Sequence, residues 1–355
     1  MSARNVPLST AGLRDAVARL PRYPLGHYPT PLEPMPRFSR MLGGPEIYIK
    51  RDDCTGLAFG GNKTRHNEFL IADALQKGAD LIVWGAGVQS NNCRQTAAAC
   101  AKAGLDIHLV LGRGGPAKGP DVVQGNLLLD HLVGAHVDIV EETIGVDLDE
   151  RIALEAARHT EAGRKVYSWD RHTVKPLAAV SYAICLAEIV EQAAAEGVEF
   201  DAVYVSSAGS TGSGVVLGQK ALGLDCDVVS VAPIRWPWDT QADMAQIADE
   251  AGKLCGLELG ISRNDVEVTF DHIGPAYGAC SPDGLEALAL LARTEGILLD
   301  PIYSAKALAG LIADVRRGRW KTGQKVVFIH TGGTPALFAC SEELSQRIAP
   351  RRLSW

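Results

Sequence analysis

Gly60-Gly61-Asn62-Lys63-Thr64 sets a lysine just past two glycines, where a helical pattern begins. Two chemistries use such an arrangement. The lysine can be the point charge of a phosphate-binding loop, or an amine held ready to form a Schiff base. Gly56 and Gly61 keep the spacing of a nucleotide phosphate loop, but Asn62 is inserted before Lys63 and Thr64. That insertion moves the lysine out of register with the β- and γ-phosphates, so the covalent role is preferred.

Three other groups of residues could serve the same site. Ser206-Ser207-Ala208-Gly209-Ser210-Thr211-Gly212 follows a strand pattern and opens a helix. Small side chains let backbone N–H groups approach an anion there, and the helix N-terminus favours negative charge. Its spacing is not G-x-G-x-x-G, and no ribose-binding acid is placed after it, which disfavours a dinucleotide. Gln89-Ser90-Asn91-Asn92 offers neutral donors at another helix start, an arrangement that suits a carboxylate; helix capping alone needs only one or two of them. The last group is Tyr277 in GPAYG, Tyr303-Ser304 in DPIYSAK, and His330-Thr331-Gly332-Gly333. A buried tyrosine seeks a partner for its hydroxyl, and His330 is taken as structural.

These loops need a scaffold, and the hydrophobic pattern supplies one. Prolines 21, 24, 29, 31, 34 and 36 mark an extended arm after a short N-terminal helix. Strand patterns at 47–50, 81–84, 107–111, 137–140, 202–206, 227–232 and 325–330 alternate with helical patterns at 64–77, 92–102, 122–132, 177–196, 215–221, 240–254 and 283–295. A Gly/Pro loop is expected at 112–120, and the Gly/Arg/Lys-rich stretch 163–175 resembles a domain junction. Strand–helix alternation means βαβ units and parallel sheets, so the fold class is α/β with the active site at the carboxyl ends of strands.

Composition narrows the class further. The 355 residues are enough for two domains, and 46% hydrophobic with 22% charged residues is ordinary globular usage. A net charge of -7 argues against general nucleic-acid binding. The eight cysteines show no C-x-x-C and no zinc spacing, so buried thiols are expected and no metal. No apolar run approaches about 18 residues and no signal-like segment stands at the N-terminus, so no membrane partner and a cytoplasmic setting are expected.

Taken in order, GLAFGGNKTRHNEFL, GVQSNNCRQTAAA, SSAGSTGSG, GPAYG, LDPIYSAKALAGL and HTGGTPALF resemble the pyridoxal-phosphate enzymes of the D-cysteine desulfhydrase and 1-aminocyclopropane-1-carboxylate (ACC) deaminase family. The resemblance spans about residues 25 to 340 and implies a tryptophan-synthase-β-like fold (fold type II). It implies a large domain from residues 1–63 and 175–355, a small inserted domain at 64–174, and a homodimer. By the same resemblance Lys63 carries the cofactor, Asn91 holds its phenolic oxygen, and Ser207, Ala208, Gly209, Ser210 and Thr211 hold its phosphate. Ser90, Gln89 and Asn92 face the substrate carboxylate, while Tyr277 and Tyr303 face the substrate. Ser304 stands near the pyridine nitrogen, with Thr331 a second candidate.

Ser304 bears on the reaction. ACC deaminase has a glutamate after the tyrosine of this motif, whereas this chain has a neutral hydroxyl. A neutral ring is a poorer electron sink, which favours loss of a good β-leaving group over cyclopropane opening. The expected activity is β-elimination from a small cysteine-like amino acid: D-cysteine to pyruvate, ammonia and sulfide, or L-cysteate to pyruvate, ammonia and sulfite. ACC deamination, phenylserine- or hydroxyaspartate-type dehydration, and a non-enzymatic nucleotide-binding module are the alternatives. Arg235, in the odd run Arg235-Trp236-Pro237-Trp238, is a candidate partner for an acidic β-substituent.

Overall fold

The computed structural model describes residues 6–114, 122–168 and 170–347. Most of the Gly/Pro loop expected at 112–120 and both chain ends lie outside them. Among the described residues, ten strands form two sheets: β1 (Leu32–Pro34), β2 (Glu46–Lys50), β3 (Leu81–Gly87), β4 (Asp106–Gly112), β5 (His136–Val140), β6 (Val166–Ser168), β7 (Ala202–Ser206), β8 (Asp227–Val231), β9 (Glu267–Thr269) and β10 (Lys325–Ile329). The larger sheet runs β1-β2-β10-β7-β8-β9 and the smaller β5-β4-β3-β6. Every pairing is parallel except β1 with β2. All strands of the smaller sheet come from residues 81–168, and none of the larger sheet's do.

The central strands are buried on both faces, as Val/Ile-rich parallel strands must be. One face of the larger sheet packs on the helices Arg171–Ala195, Ser210–Leu222 and Thr240–Leu254, the other on Pro282–Glu295 and Ser304–Arg316. The smaller sheet is likewise covered on both faces.

Two expectations are corrected. The helix expected at 177–196 begins six residues earlier, at Arg171, so the stretch 163–175 holds β6 of the smaller sheet and the first turn of the helix Arg171–Ala195. The Asp170 carboxylate accepts from His172 N–H and caps that start, while Pro176 lies inside the helix and hid the pattern. This helix also has the length and mean hydropathy, 1.5, of a membrane span, contrary to the expectation that no such run exists. Its apolar residues are used in the core instead, where 78% of that window is buried.

A buried ion cluster joins the arm, the larger sheet and two helices. Arg65 donates to Asp52 at 2.7 and 2.9 Å and to Glu188 at 2.8 Å twice. Lys50 stands 2.9 Å from Glu188, and Tyr182 and Thr30 donate to Asp52 at 2.6 and 2.7 Å. Burial alone would raise both carboxyls, but Arg65, with Lys50 behind it, outweighs burial and holds Asp52 and Glu188 below their ordinary values. Their contribution is therefore present above about pH 4 and is lost as pH falls through the folded values. Arg65→Met is expected to cost about 3–5 kcal/mol in denaturant unfolding, because it removes the ion-pair partner of buried Asp52 and leaves Glu188 with Lys50 alone. A loss below about 1 kcal/mol would show the cluster to be dispensable.

Candidate active site

Four strand ends deliver the chemistry-bearing loops to one cavity of about 240 Å³. From β2 the chain passes through 51–61 to Lys63; from β3 it passes to Ser90, from β7 to Ser206–Thr211, and from β10 to Thr331 and Gly332. Ligand crevices at carboxyl ends of parallel strands are general to open α/β sheets.

The lysine loop is held in a conformation few residues adopt. Ala58 and Phe59 have φ of 43° and 69°, and Gly60 and Gly61 have φ of 65° and 125°. A Cβ on Gly60 would lie 2.1 Å from Asp53 O, and one on Gly61 would lie 2.7 Å from the Gln95 amide. Non-glycine residues in this region store strain and persist where surrounding contacts dictate them. Those contacts come from the helix Asn91–Ala103: Arg94 donates to Gly60 O at 2.9 Å, and Gln95 Oε1 accepts from Thr64 N–H at 2.8 Å. Lys63 is thus the second residue of the helix Asn62–Gln76, and Arg65 anchors that same helix into the ion cluster.

Two lysines line the cavity, and their surroundings differ. Burial, with the Lys175 ammonium adding to it, pushes Lys63 down to about 8, and no carboxylate opposes the shift. Lys175 is lowered by burial too, but Asp243, 3.3 Å away, opposes it. A desolvated amine near another cation is a nucleophile close to neutral pH. Of the two lysines, Lys63 has the surroundings that fit this description.

Opposite it, the helix Ser210–Leu222 begins inside the glycine loop, so its first-turn N–H groups lack intrahelical acceptors. The missing Cβ of Gly209 leaves open space, and the Ser206 hydroxyl, which lines the cavity, is buried without a partner. Asn62 donates to Thr211 Oγ1 at 3.0 Å, tying the lysine loop to this one. His66 Nε2 lies 3.3 Å from the same oxygen, and burial, then Lys63 and Arg65, hold its imidazole neutral. These features fit a phosphate group, and Ser207–Thr211 are the residues that would hold it.

Ser90 caps the helix Asn91–Ala103, accepting from Asn92 and Cys93 N–H at 3.1 Å, and lines the cavity with Asn91 and Asn92. Gln89 does not join them: its amide is engaged with Gln124 O and Asn126 N–H at 3.0 and 2.9 Å, so its expected contact with a carboxylate is corrected. Tyr277 and Tyr303 both line the cavity and hydrogen-bond each other through their hydroxyls. Burial raises both phenols above their ordinary value, so neither is a phenolate near pH 7. Thr331 lines the cavity, and its carbonyl accepts from Asn62 N–H at 3.1 Å. His330 is fully buried, engaged with Leu298 O and Gly332 N–H.

Ser304 is fully buried behind Asp300 rather than on the cavity wall. Its hydroxyl donates to Asp300 Oδ1 at 2.5 Å and accepts from Asp300 N–H at 2.9 Å. The other Asp300 bonds come from the N–H groups of Ile302, Tyr303 and Ser304. Asp300 therefore caps the helix Ser304–Arg316, a role its place in DPIYS could have signalled but did not. Arg235 is exposed with its guanidinium 4.3 Å from the Phe270 ring and does not line the cavity, which corrects its expected substrate contact. The cationic wall is instead Arg171 and Lys175, spaced i, i+4 on one helix face, with Arg171 4.0 Å over the Trp238 ring. Trp238 stacks on Trp236, which donates to Ala208 O at 3.2 Å.

A neutralisable lysine, a helix-start phosphate cradle and a separate polar loop for a carboxylate define a cofactor-dependent α/β enzyme of fold type II. The family model for pyridoxal-phosphate dependent enzymes matches residues 23–332, and the chain belongs to that family. It is 42% identical to a 1-aminocyclopropane-1-carboxylate deaminase of Burkholderia vietnamiensis over 91% of this chain and 97% of that protein. The corresponding protein of Burkholderia multivorans is 40% identical over 91% and 97%. A solved ACC deaminase homologue superposes with a TM-score of 0.85 at 32% identity, covering 94% of this chain and 98% of that one. Threonine deaminase isoform 2 from Solanum lycopersicum, at 16% identity and a TM-score of 0.66 over 96% and 90%, shares the fold. This chain is a pyridoxal-phosphate dependent lyase of the ACC deaminase and desulfhydrase family, acting on a small amino acid.

Because only the neutral amine captures an aldehyde, uptake of pyridoxal phosphate by cofactor-free protein should quicken with pH. Between pH 6 and 7 the rate is expected to rise roughly tenfold, levelling above the Lys63 value of about 8. Absorbance stopped-flow measures it; a rate that keeps rising about tenfold per pH unit past pH 9 and levels only above about pH 10.4 would assign capture to an unshifted lysine.

Proposed function

We propose that the chain is a β-elimination lyase that acts on a small cysteine-like amino acid, D-cysteine or L-cysteate, and releases pyruvate, ammonia and the β-substituent. What supports this reading is that the position after Tyr303 puts no carboxylate into the cavity: the Ser304 hydroxyl lies behind the wall bonded to Asp300, and Asp300, which does line the cavity, has its carboxylate engaged by Ser304 and by the N–H groups of Ile302, Tyr303 and Ser304. Bound pyridoxal phosphate supplies an aldehyde for covalent attachment and a ring that takes up electrons released at Cα.

The chain's own residues do the rest. Ser90 and Asn92 hold the substrate carboxylate at the helix start, and Asn91 faces the cofactor. Lys63, once its amine is freed, takes the Cα proton, a task suited to a value near 8. The neutral pair Tyr277–Tyr303 can give a proton to the departing β-substituent. The Cα–H and Cβ–substituent bonds both break, and hydrolysis of the resulting unsaturated amine consumes one water. Arg171 and Lys175 make the cavity wall cationic, which favours an acidic β-substituent such as sulfonate. A homodimer in the cytoplasm is part of the proposal, with oligomeric state to be read by light scattering.

The second reading, ACC deamination, is supported by the names of the relatives at 40–42% identity. Purified holoenzyme offered D-cysteine, L-cysteine, L-cysteate, D-serine, 3-hydroxyaspartate and ACC separates the two by the keto acid formed. Pyruvate from D-cysteine or L-cysteate, with kcat/KM at least about tenfold above that for ACC, is expected; tenfold corresponds to about 1.4 kcal/mol at the transition state. 2-Oxobutyrate from ACC as the dominant product would replace this proposal with the second reading.

A further inference from the structure

Away from the cavity, three histidines and an aspartate meet at the edge of the smaller sheet. In the β4–β5 register His108 stands opposite His136, and Val110 opposite Asp138. Side chains two apart on a strand share a face, so His108, His136 and Asp138 project together. Val110, on that same face, packs with Leu148 and Ile152 of the helix Val146–Glu161, whose last turn carries His159 to the same spot. His108 is four residues before Gly112, the carboxyl end of β4, so the group sits about 13 Å from the strand end that faces the catalytic loops.

Asp138, His108 and His159 form a hydrogen-bonded chain, and His136 brings a third donor atom to a separation that an ion can span. His108 Nε2 lies 3.0 Å from Asp138 Oδ2, and His136 Nε2 lies 3.7 Å from Asp138 Oδ1. The second separation is too long for a hydrogen bond. Both bracket the edge of a tetrahedron with bonds of about 2.05 Å, which is about 3.3 Å. One ligand atom from each of the three residues falls within 4.8 Å of the others. The remaining ring nitrogen of His108, Nδ1, is 2.9 Å from His159 Nε2. A second partner of this kind is what fixes the tautomer and orientation of a metal-ligating imidazole. His136 is exposed and Asp138 partly so, which leaves an entry path and room for water as a fourth ligand.

We propose that His108, His136 and Asp138 bind a divalent late transition-metal cation of the Zn²⁺ or Ni²⁺ class, with His159 as the positioning residue for His108. Imidazole nitrogens with one carboxylate are the donor set such ions prefer over Mg²⁺ or Ca²⁺. The ion ties the edge strand β5 to β4 and, through His108–His159, to the helix whose other end reaches the cavity at Leu148 and Asp149. Its consequence is stability of the smaller sheet rather than chemistry.

The test uses untagged holoenzyme, stripped with a chelator and titrated with ZnCl₂ by isothermal calorimetry and thermal unfolding. One site with a micromolar or tighter dissociation constant is expected, with a melting temperature that rises with Zn²⁺. His136→Ala and Asp138→Asn, both at solvent-accessible side chains, are each expected to weaken binding more than tenfold and remove that rise. His159→Ala is expected to weaken binding about tenfold, while His131→Ala, on the exposed face of a neighbouring helix, changes nothing. MgCl₂ at the same concentration gives no heat. Zn²⁺ affinity in the millimolar range, or equal in wild type and the His136 and Asp138 variants, would overturn the proposal.

Discussion

The site depends on a buried guanidinium. Arg65 is two residues past Lys63, and its four bonds to Asp52 and Glu188 fix the helix Asn62–Gln76 against the chain before it and the helix Arg171–Ala195. Burying so many charges is costly unless their geometry is near ideal, so clusters of this kind tend to specify one arrangement. Here that arrangement places the lysine. The strained run Ala58–Gly61 can persist because this cluster on one side and the bonds from Arg94 and Gln95 on the other leave the loop no alternative.

Electrostatics then distinguishes the two cavity lysines. Lys175 is lowered by burial, but it shares Asp243 with Arg171, and that carboxylate opposes the shift. Lys63 has no such partner among the influences on it and feels Lys175 as a like charge. One ammonium makes the other amine reactive. The tyrosine pair, neutral and mutually bonded, completes the cavity wall, and the proposed elimination would assign proton transfer at Cα and at the β-substituent to different groups.

Local punctuation made much of this legible in the sequence. Strand–loop–helix boundaries around Lys63, Ser90–Asn92 and Ser207–Thr211 are marked by glycines and small polar residues, and the structure brings those loops to one cavity. Side-chain direction was not legible. Gln89 neighbours Ser90 in the chain yet turns to Asn126, and Arg235 leaves the cavity to lie on Phe270, because both outcomes depend on what packs nearby. Arg171 and Lys175 were hidden by Pro176, which made the start of their helix resemble a junction. His66 and Asp300 gave only a helical position and a turn residue; their roles arise from contacts with Thr211 and with the Ser304 helix.

The central claim is that Lys63, and not its neighbour Lys175, carries the cofactor. Borohydride reduction of the purified holoenzyme followed by peptide mass spectrometry tests it directly. The account requires the phosphopyridoxyl group on the peptide containing Asn62-Lys63-Thr64, with Lys175 unmodified. Modification at Lys175, or a protein that stays unmodified when loaded with pyridoxal phosphate, would contradict it.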